Sequence, residues 1–258
     1  MQRLSNLPES QAAVNKFDKI ISLGCNCELT WNIRTHFGIE RAYPLDWWIT
    51  PYQALWKLLE NRFYDLFNVN NLEVSPDLLT VKDTYFNLLY HHDFKRGEDD
   101  RIIDDHIDQQ LPLLKQKYDL LVERFFKDPQ NKRVLFVRNR DGNIPHLNRD
   151  STPMDKNAFV RLYDLLEKLF PDSEITLLIT NCPRYSSVRR RNGCIVWDET
   201  ANYEDAQYFA GSPRGWKEMF LRNNIFYEDA GALNSVEPYL WRSQVATSCV
   251  RSRIPGGR

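Results

Sequence analysis

Two short apolar runs, Arg133–Val137 and Glu174–Thr180, constrain this chain most, because a segment of helical period lies between them. Each run has strand length and a bias to β-branched and large apolar residues, which reads as a strand buried on both faces. Between them Phe159, Leu162, Tyr163, Leu166 and Leu169 recur at the three- and four-residue spacing of an amphipathic helix. The same alternation brackets this pair. Lys19–Leu23 is a short apolar run ending at Gly24, followed by Leu29, Ile33 and Phe37 at helical spacing and Gly38 at the expected C-cap. Cys194–Trp197 is a further short strand, and Ser212-Pro213 opens a helix carrying Trp216, Met219 and Phe220. Strands alternating with helices predict an α/β fold, a three-layer sandwich with a mostly parallel central sheet. One domain is expected over residues 1–242, with 243–258 a loosely ordered tail.

The stretch between the first helix and Arg133 is less regular. Thr50-Pro51 has the pairing of a helix start, with Leu55, Leu58, Leu59, Phe63 and Leu66 as its apolar face. Short strands are expected near Leu79–Val81 and Phe86–His91. A long helix is expected from about Arg101 to Phe126, with Pro112 kinking or dividing it.

Bulk properties exclude several classes. Hydrophobic residues make up 42% and charged residues 27%, so a folded core is the expectation. A net charge of −1 gives no basic excess for nonspecific nucleic-acid or membrane binding, and Arg189-Arg190-Arg191 reads as solvated surface. The first residues lack an apolar signal region, and no run of about 18 apolar residues occurs. A cytoplasmic protein with five reduced Cys is therefore expected.

Chemistry concentrates at the turn Gly24-Cys25-Asn26-Cys27. In open parallel sheets ligands bind beyond the carboxyl ends of strands, where the next helix starts. Cys27 falls at that point, and a helix N-terminus favours thiolate over thiol. Gly24 permits a tight turn and close approach of a bound group. The structural alternative is a small buried thiol. A nucleophilic Cys needs a base, and the candidates are His36, His91, His92, His106 and His146. Alternation along a strand allows only one of His91 and His92 to face a given site. Asp46, Asp93, Asp141 and Asp198 are the acids that could orient an imidazole. Asp46, between Leu45 and Trp47-Trp48, is the one whose apolar flanks call for a partner.

Ser22-Leu23-Gly24-x-x-Cys27, then Arg34, Gly38 and Pro44-Leu45-Asp46-Trp47, resembles the opening pattern of a bacterial family of unknown function described as papain-like cysteine peptidases. Leu45 stands where that pattern has Phe. His92-Asp93-Phe94 is similar to the family's later His motif, and Val134–Arg138 to its later strand ending in Arg. The resemblance covers about residues 19 to 140. It implies Cys27 as nucleophile and His92 as base, in the Cys-before-His order of papain-like enzymes, which carry the Cys on a helix and the His on an antiparallel sheet. Asp46 is the candidate third member, and Gly24, Asn26 and Trp47 are the candidate substrate contacts. No metal and no cofactor are implied. A parallel sheet leaves ester hydrolysis and acyl transfer as open as peptide cleavage. Two other classes remain open. Cys25 and Cys27 with His91 or His92 are zinc-ligand types, and Tyr43, Trp47 and Trp48 would suit a non-catalytic sugar- or peptide-binding surface.

Overall fold

A computed structural model describes residues 15–103, 107–140, 155–207 and 210–228. The proposed tail 243–258 and the candidates His106, His146 and Asp141 lie outside the described residues. In chain order the elements are β1 (Asn15–Phe17), β2 (Lys19–Ser22), α1 (Cys27–Phe37), β3 (Trp48–Ile49), α2 (Tyr52–Glu60), a 3-10 turn (Val69–Asn71), β4 (Leu72–Val74), β5 (Val81–Asp83), β6 (Leu88–Tyr90) and α3 (Ile107–Lys127). Then follow β7 (Arg133–Asn139), α4 (Lys156–Leu169), β8 (Glu174–Thr180), β9 (Val188–Arg190), β10 (Gly193–Trp197), α5 (Pro213–Arg222) and β11 (Ile225–Tyr227).

The strands divide among three sheets. One has five strands in the order β2-β7-β8-β10-β9. Its first four strands pair in parallel, and β9 returns antiparallel on the edge. A second, four-stranded sheet, β3-β6-β5-β4, is antiparallel throughout. In the third, β1 pairs in parallel with β11 and joins the two ends of the described chain. The α/β expectation holds, but one mostly parallel sheet does not account for the chain. Two of its strands, β5 and β6, fall at the stretches expected near Leu79–Val81 and Phe86–His91, but strands of two or three residues print no period that would show how they pair.

Side-chain alternation on β7 separates the layers. Val134 and Phe136 point into a core with residues of α2, α3 and α4, whereas Leu135 and Val137 point into one with Leu29 and Ile33 of α1 and Trp216, Met219 and Phe220 of α5. The antiparallel sheet joins the first of these cores through Trp48, Val81, Leu88 and Tyr90. Trp48, Phe67, Tyr90 and Tyr118 pack ring on ring there, with centroids 4.5 to 6.1 Å apart.

The local start and stop signals act at both outer helices. Gly38 closes α1 with φ 65°, and Ser212 caps α5 by accepting from the Gly215 N–H. Two expectations are corrected. Pro51 rather than Thr50 caps α2, without a side-chain bond, and the helix ends at Glu60, short of Phe63 and Leu66. Of the two outcomes expected at Pro112, division is the one that does not occur, since α3 runs from Ile107 to Lys127 through it. Burial of Leu111, Leu114, Tyr118, Leu121 and Phe125 along one face outweighs the roughly 3 kcal/mol disfavouring an interior proline.

Candidate active site

The Cys-bearing turn is built from its backbone outward. The Ser22 hydroxyl at the end of β2 accepts from the Gly24 N–H at 3.1 Å. Gly24 and Cys25 then take φ of 75° and 97° in succession. The Cys25 carbonyl accepts from the Thr50 N–H at 3.0 Å, fastening the turn to the end of β3. Asn26 caps α1 by accepting from the Glu28 N–H, and Cys27 is the first residue of that helix. Cys25 is buried, Cys27 is half-buried, and none of the four described cysteines forms a disulfide. A left-handed Cys is strained by about 1–3 kcal/mol, and such strain collects at functional sites. A Cβ on Gly24 would lie 3.3 Å from the Leu45 carbonyl oxygen, in a backbone conformation that disfavours side chains. Gly24→Ala is therefore expected to lower stability by about 1–2 kcal/mol, read as a shift of the urea midpoint.

Arg138 anchors the turn from below. It is fully buried near the end of β7, and its guanidinium donates to the Leu23 carbonyl at 2.9 Å and to the Thr50 carbonyl at 2.8 Å. One planar group thus spans the residue before Gly24 and the residue after β3.

Sequence reasoning passed over Glu28, the residue after Cys27. Its carboxylate accepts from Asn139 Nδ2 at 3.0 Å and from Trp216 Nε1 at 3.1 Å. Burial raises its pKa, against hydrogen bonds from Trp216, Asn181, Asn139 and Asn26 that lower it. Asn139 ends β7 and Asn181 directly follows β8, so the cluster sits where the parallel strands stop. The available signal was an amide at the carboxyl end of two successive predicted strands.

Asp46 lies deep in the structure, and both its oxygens are engaged. Oδ1 accepts from Thr30 at 3.2 Å, and Oδ2 accepts from Arg34 at 3.1 Å and from the Tyr43 N–H at 3.0 Å. Burial lifts its carboxyl to about 6 against these donors. These bonds clasp the aromatic loop to the middle and far end of α1, and Arg34 is seven residues, about 10 Å of helix, from Cys27.

His92 follows β6, so the antiparallel sheet leads into it. Its ring meets Trp47 edge-on with centroids 5.9 Å apart and His91 at 4.6 Å. Burial and the neighbouring His91 push its pKa down to about 4, so the imidazole is neutral at ordinary pH. Trp48 pairs with Tyr90 and Ile49 with Leu89, which places His91 and His92 beyond the Trp47 end of this ladder. The Thr50 end bonds Cys25. The structure thus fastens the turn that carries Cys27 to Thr50, bonds the next residue, Glu28, to Asn139 and Trp216, and packs His92 against Trp47 and His91.

The remaining candidates have structural partners. Asp93 accepts from Trp48, Lys117 and Tyr118. Asp198 accepts from Arg184, Arg222 and Asn223. His36 packs edge-on against Phe220. The aromatic surface is corrected, since Tyr43 and Trp48 are buried and only Trp47 of the three is partly exposed. Among the described residues no group of three or more His, Cys, Asp or Glu is arranged to hold a metal ion, and no helix is long and apolar enough to cross a membrane.

No curated protein and no solved structure matches the chain. A family model does match, over residues 18–146, which span β2, the Cys-bearing turn, the aromatic loop, the His92 segment and β7. By that match across half of its length, the chain belongs to the family described as putative papain-like cysteine peptidase.

Proposed function

We propose that the protein is a cysteine-dependent hydrolase or acyltransferase in which Cys27 is the nucleophile and His92 its general base. The observation that carries the reading is the place of Cys27, half-buried at the first position of α1 and directly beyond a parallel strand. The partial positive charge at a helix start favours the thiolate, which is the attacking species. Family membership and the papain-like division of labour, with Cys on a helix and His after an antiparallel strand, support the same pair.

In the proposed reaction the thiol proton passes to His92 and the thiolate attacks an acyl carbonyl. Sulfur–carbon bond formation and loss of the leaving group, which takes the proton, give a thioester. Water or a second acceptor then attacks the thioester and releases Cys27. The substrate is an acyl compound of peptide, ester or glycan-linked type, contacted by Gly24, Asn26 and Trp47. The Asp46 clasp keeps Trp47 against His92. A thiol nucleophile of this kind works in a reducing compartment, and we place the protein in the cytoplasm.

Burial keeps His92 neutral at pH 7, the form that accepts a proton. By holding its pKa down to about 4, burial also makes the imidazole a weak base until the thiolate forms to stabilise the imidazolium. His92→Ala is expected to slow alkylation of Cys27 by dilute iodoacetamide at pH about 6.5 by roughly tenfold or more. Mapping the labelled peptides reads this directly. A wild-type labelling rate in His92→Ala removes His92 as the base and leaves Cys27 to its own test.

A further inference from the structure

The carboxyl of Glu28 stands one residue beyond Cys27 and gathers side chains from the α1 cap, β7, the residue after β8, and α5. Asn139 and Trp216 donate to its two oxygens, and Asn26 and Asn181 also hydrogen-bond it. The two strand-end amides are themselves oriented. Thr180 donates to Oδ1 of Asn139 and Thr200 to Oδ1 of Asn181, which leaves each NH2 free to turn toward Glu28. Gly211, at φ 62°, makes room for the group, since a Cβ there would lie 2.7 Å from Glu28 Oε1. All four side-chain partners are uncharged.

Helix capping does not require this assembly, because Asn26 already caps α1. Burial raises the Glu28 pKa despite four bonds that lower it, so keeping a charge here costs stability that a neutral residue would not. We propose that Glu28 is a positioning residue for Cys27, its gripped carboxylate fixing the first turn of α1 against the ends of β7 and β8 and holding a negative charge on the residue next to the thiol. This rests on the reading of Cys27 as nucleophile. The grip sets where the thiol points, and the charge sets the pH at which it ionises. A helix N-terminus favours a thiolate in general, and a carboxylate close by opposes it.

The test is the rate of Cys27 alkylation by iodoacetamide between pH 5.5 and 9, followed by peptide mapping, with thermal unfolding measured alongside. Glu28→Gln keeps the size of the side chain and removes the charge. It is expected to move the midpoint of the rate profile to lower pH by about half a unit or more. Glu28→Asp restores the charge but draws it back from Trp216 and Asn139. It is expected to return the midpoint toward wild type while the plateau rate falls by about threefold or more. A merely structural Glu28 would lower the unfolding temperature in both variants and leave the profile in place, and that result overturns the proposal. Should Glu28→Gln not fold, a wild-type midpoint and plateau in Glu28→Asp overturn it equally. Failure of the nucleophile reading looks different: wild-type Cys27 would then alkylate no faster than Cys194 at pH 6.5, whatever stands at position 28.

Discussion

Cys27→Ala is expected to remove the fast-labelling thiol altogether and to lower turnover of activated acyl substrates by about 10⁴-fold or more. The size follows from the chemistry, since without sulfur no thioester forms and only substrate binding and polarisation remain. Cys27→Ser is expected to fall nearly as far, because a hydroxyl stays protonated where a thiol ionises. Stability should change little, because Cys27 is half-buried and heads a helix already capped by Asn26. The other thiols serve as controls within one chain. Burial pushes the Cys182 thiol up to about 11, so it should label last among the described cysteines. Cys25, in the same turn but buried, should label slowly at pH 6.5. The measurement is single-turnover labelling of wild type, Cys27→Ala and Cys25→Ala, with release of p-nitrophenol from a short acyl ester run in parallel. Equal labelling of Cys25 and Cys27, or full ester turnover by Cys27→Ala, would sink the nucleophile.

Arg138→Met is expected to be the most destabilising of the substitutions considered, by about 3–5 kcal/mol, and to slow Cys27 labelling as well. The side chain is fully buried and holds the carbonyls of Leu23 and Thr50. Methionine fills much of the volume but leaves both carbonyls without these donors, at about 1–3 kcal/mol each. Arg138→Lys separates charge from geometry. Its single ammonium cannot reproduce two parallel N–H bonds aimed at carbonyls on separate segments. It should keep more stability than methionine yet still loosen the turn, visible as slower labelling of Cys27 in protein that remains folded. Denaturant midpoints and labelling rates on the same samples decide the matter. A Met variant as stable as wild type would show that other bonds hold the turn.

The sequence by itself determined the elements whose cause is local. The apolar run Lys19–Ser22, the helical spacing of Leu29 and Ile33, and Gly38 at a left-handed C-cap were legible because each depends on residues a few positions apart. So were β7 and β8, the helix between them, the Ser212 cap, and the position of Cys27 where the first of these helices begins. The family pattern pointed to Arg138 but not to its task, which needs carbonyls 115 and 88 residues away. Tertiary structure alone decided the rest. The antiparallel sheet exists because three very short strands fold back on β3, and a strand of two or three residues specifies no partner by period. Asp46 reads as an isolated acid in an aromatic loop until α1 brings Thr30 and Arg34 against it. Glu28 reads as an ordinary first-turn acid until Asn139 and Trp216 arrive from 111 and 188 residues away. Hydrogen bonds across such separations are fixed by how layers pack, and packing is a property of the assembled chain rather than of any window along it.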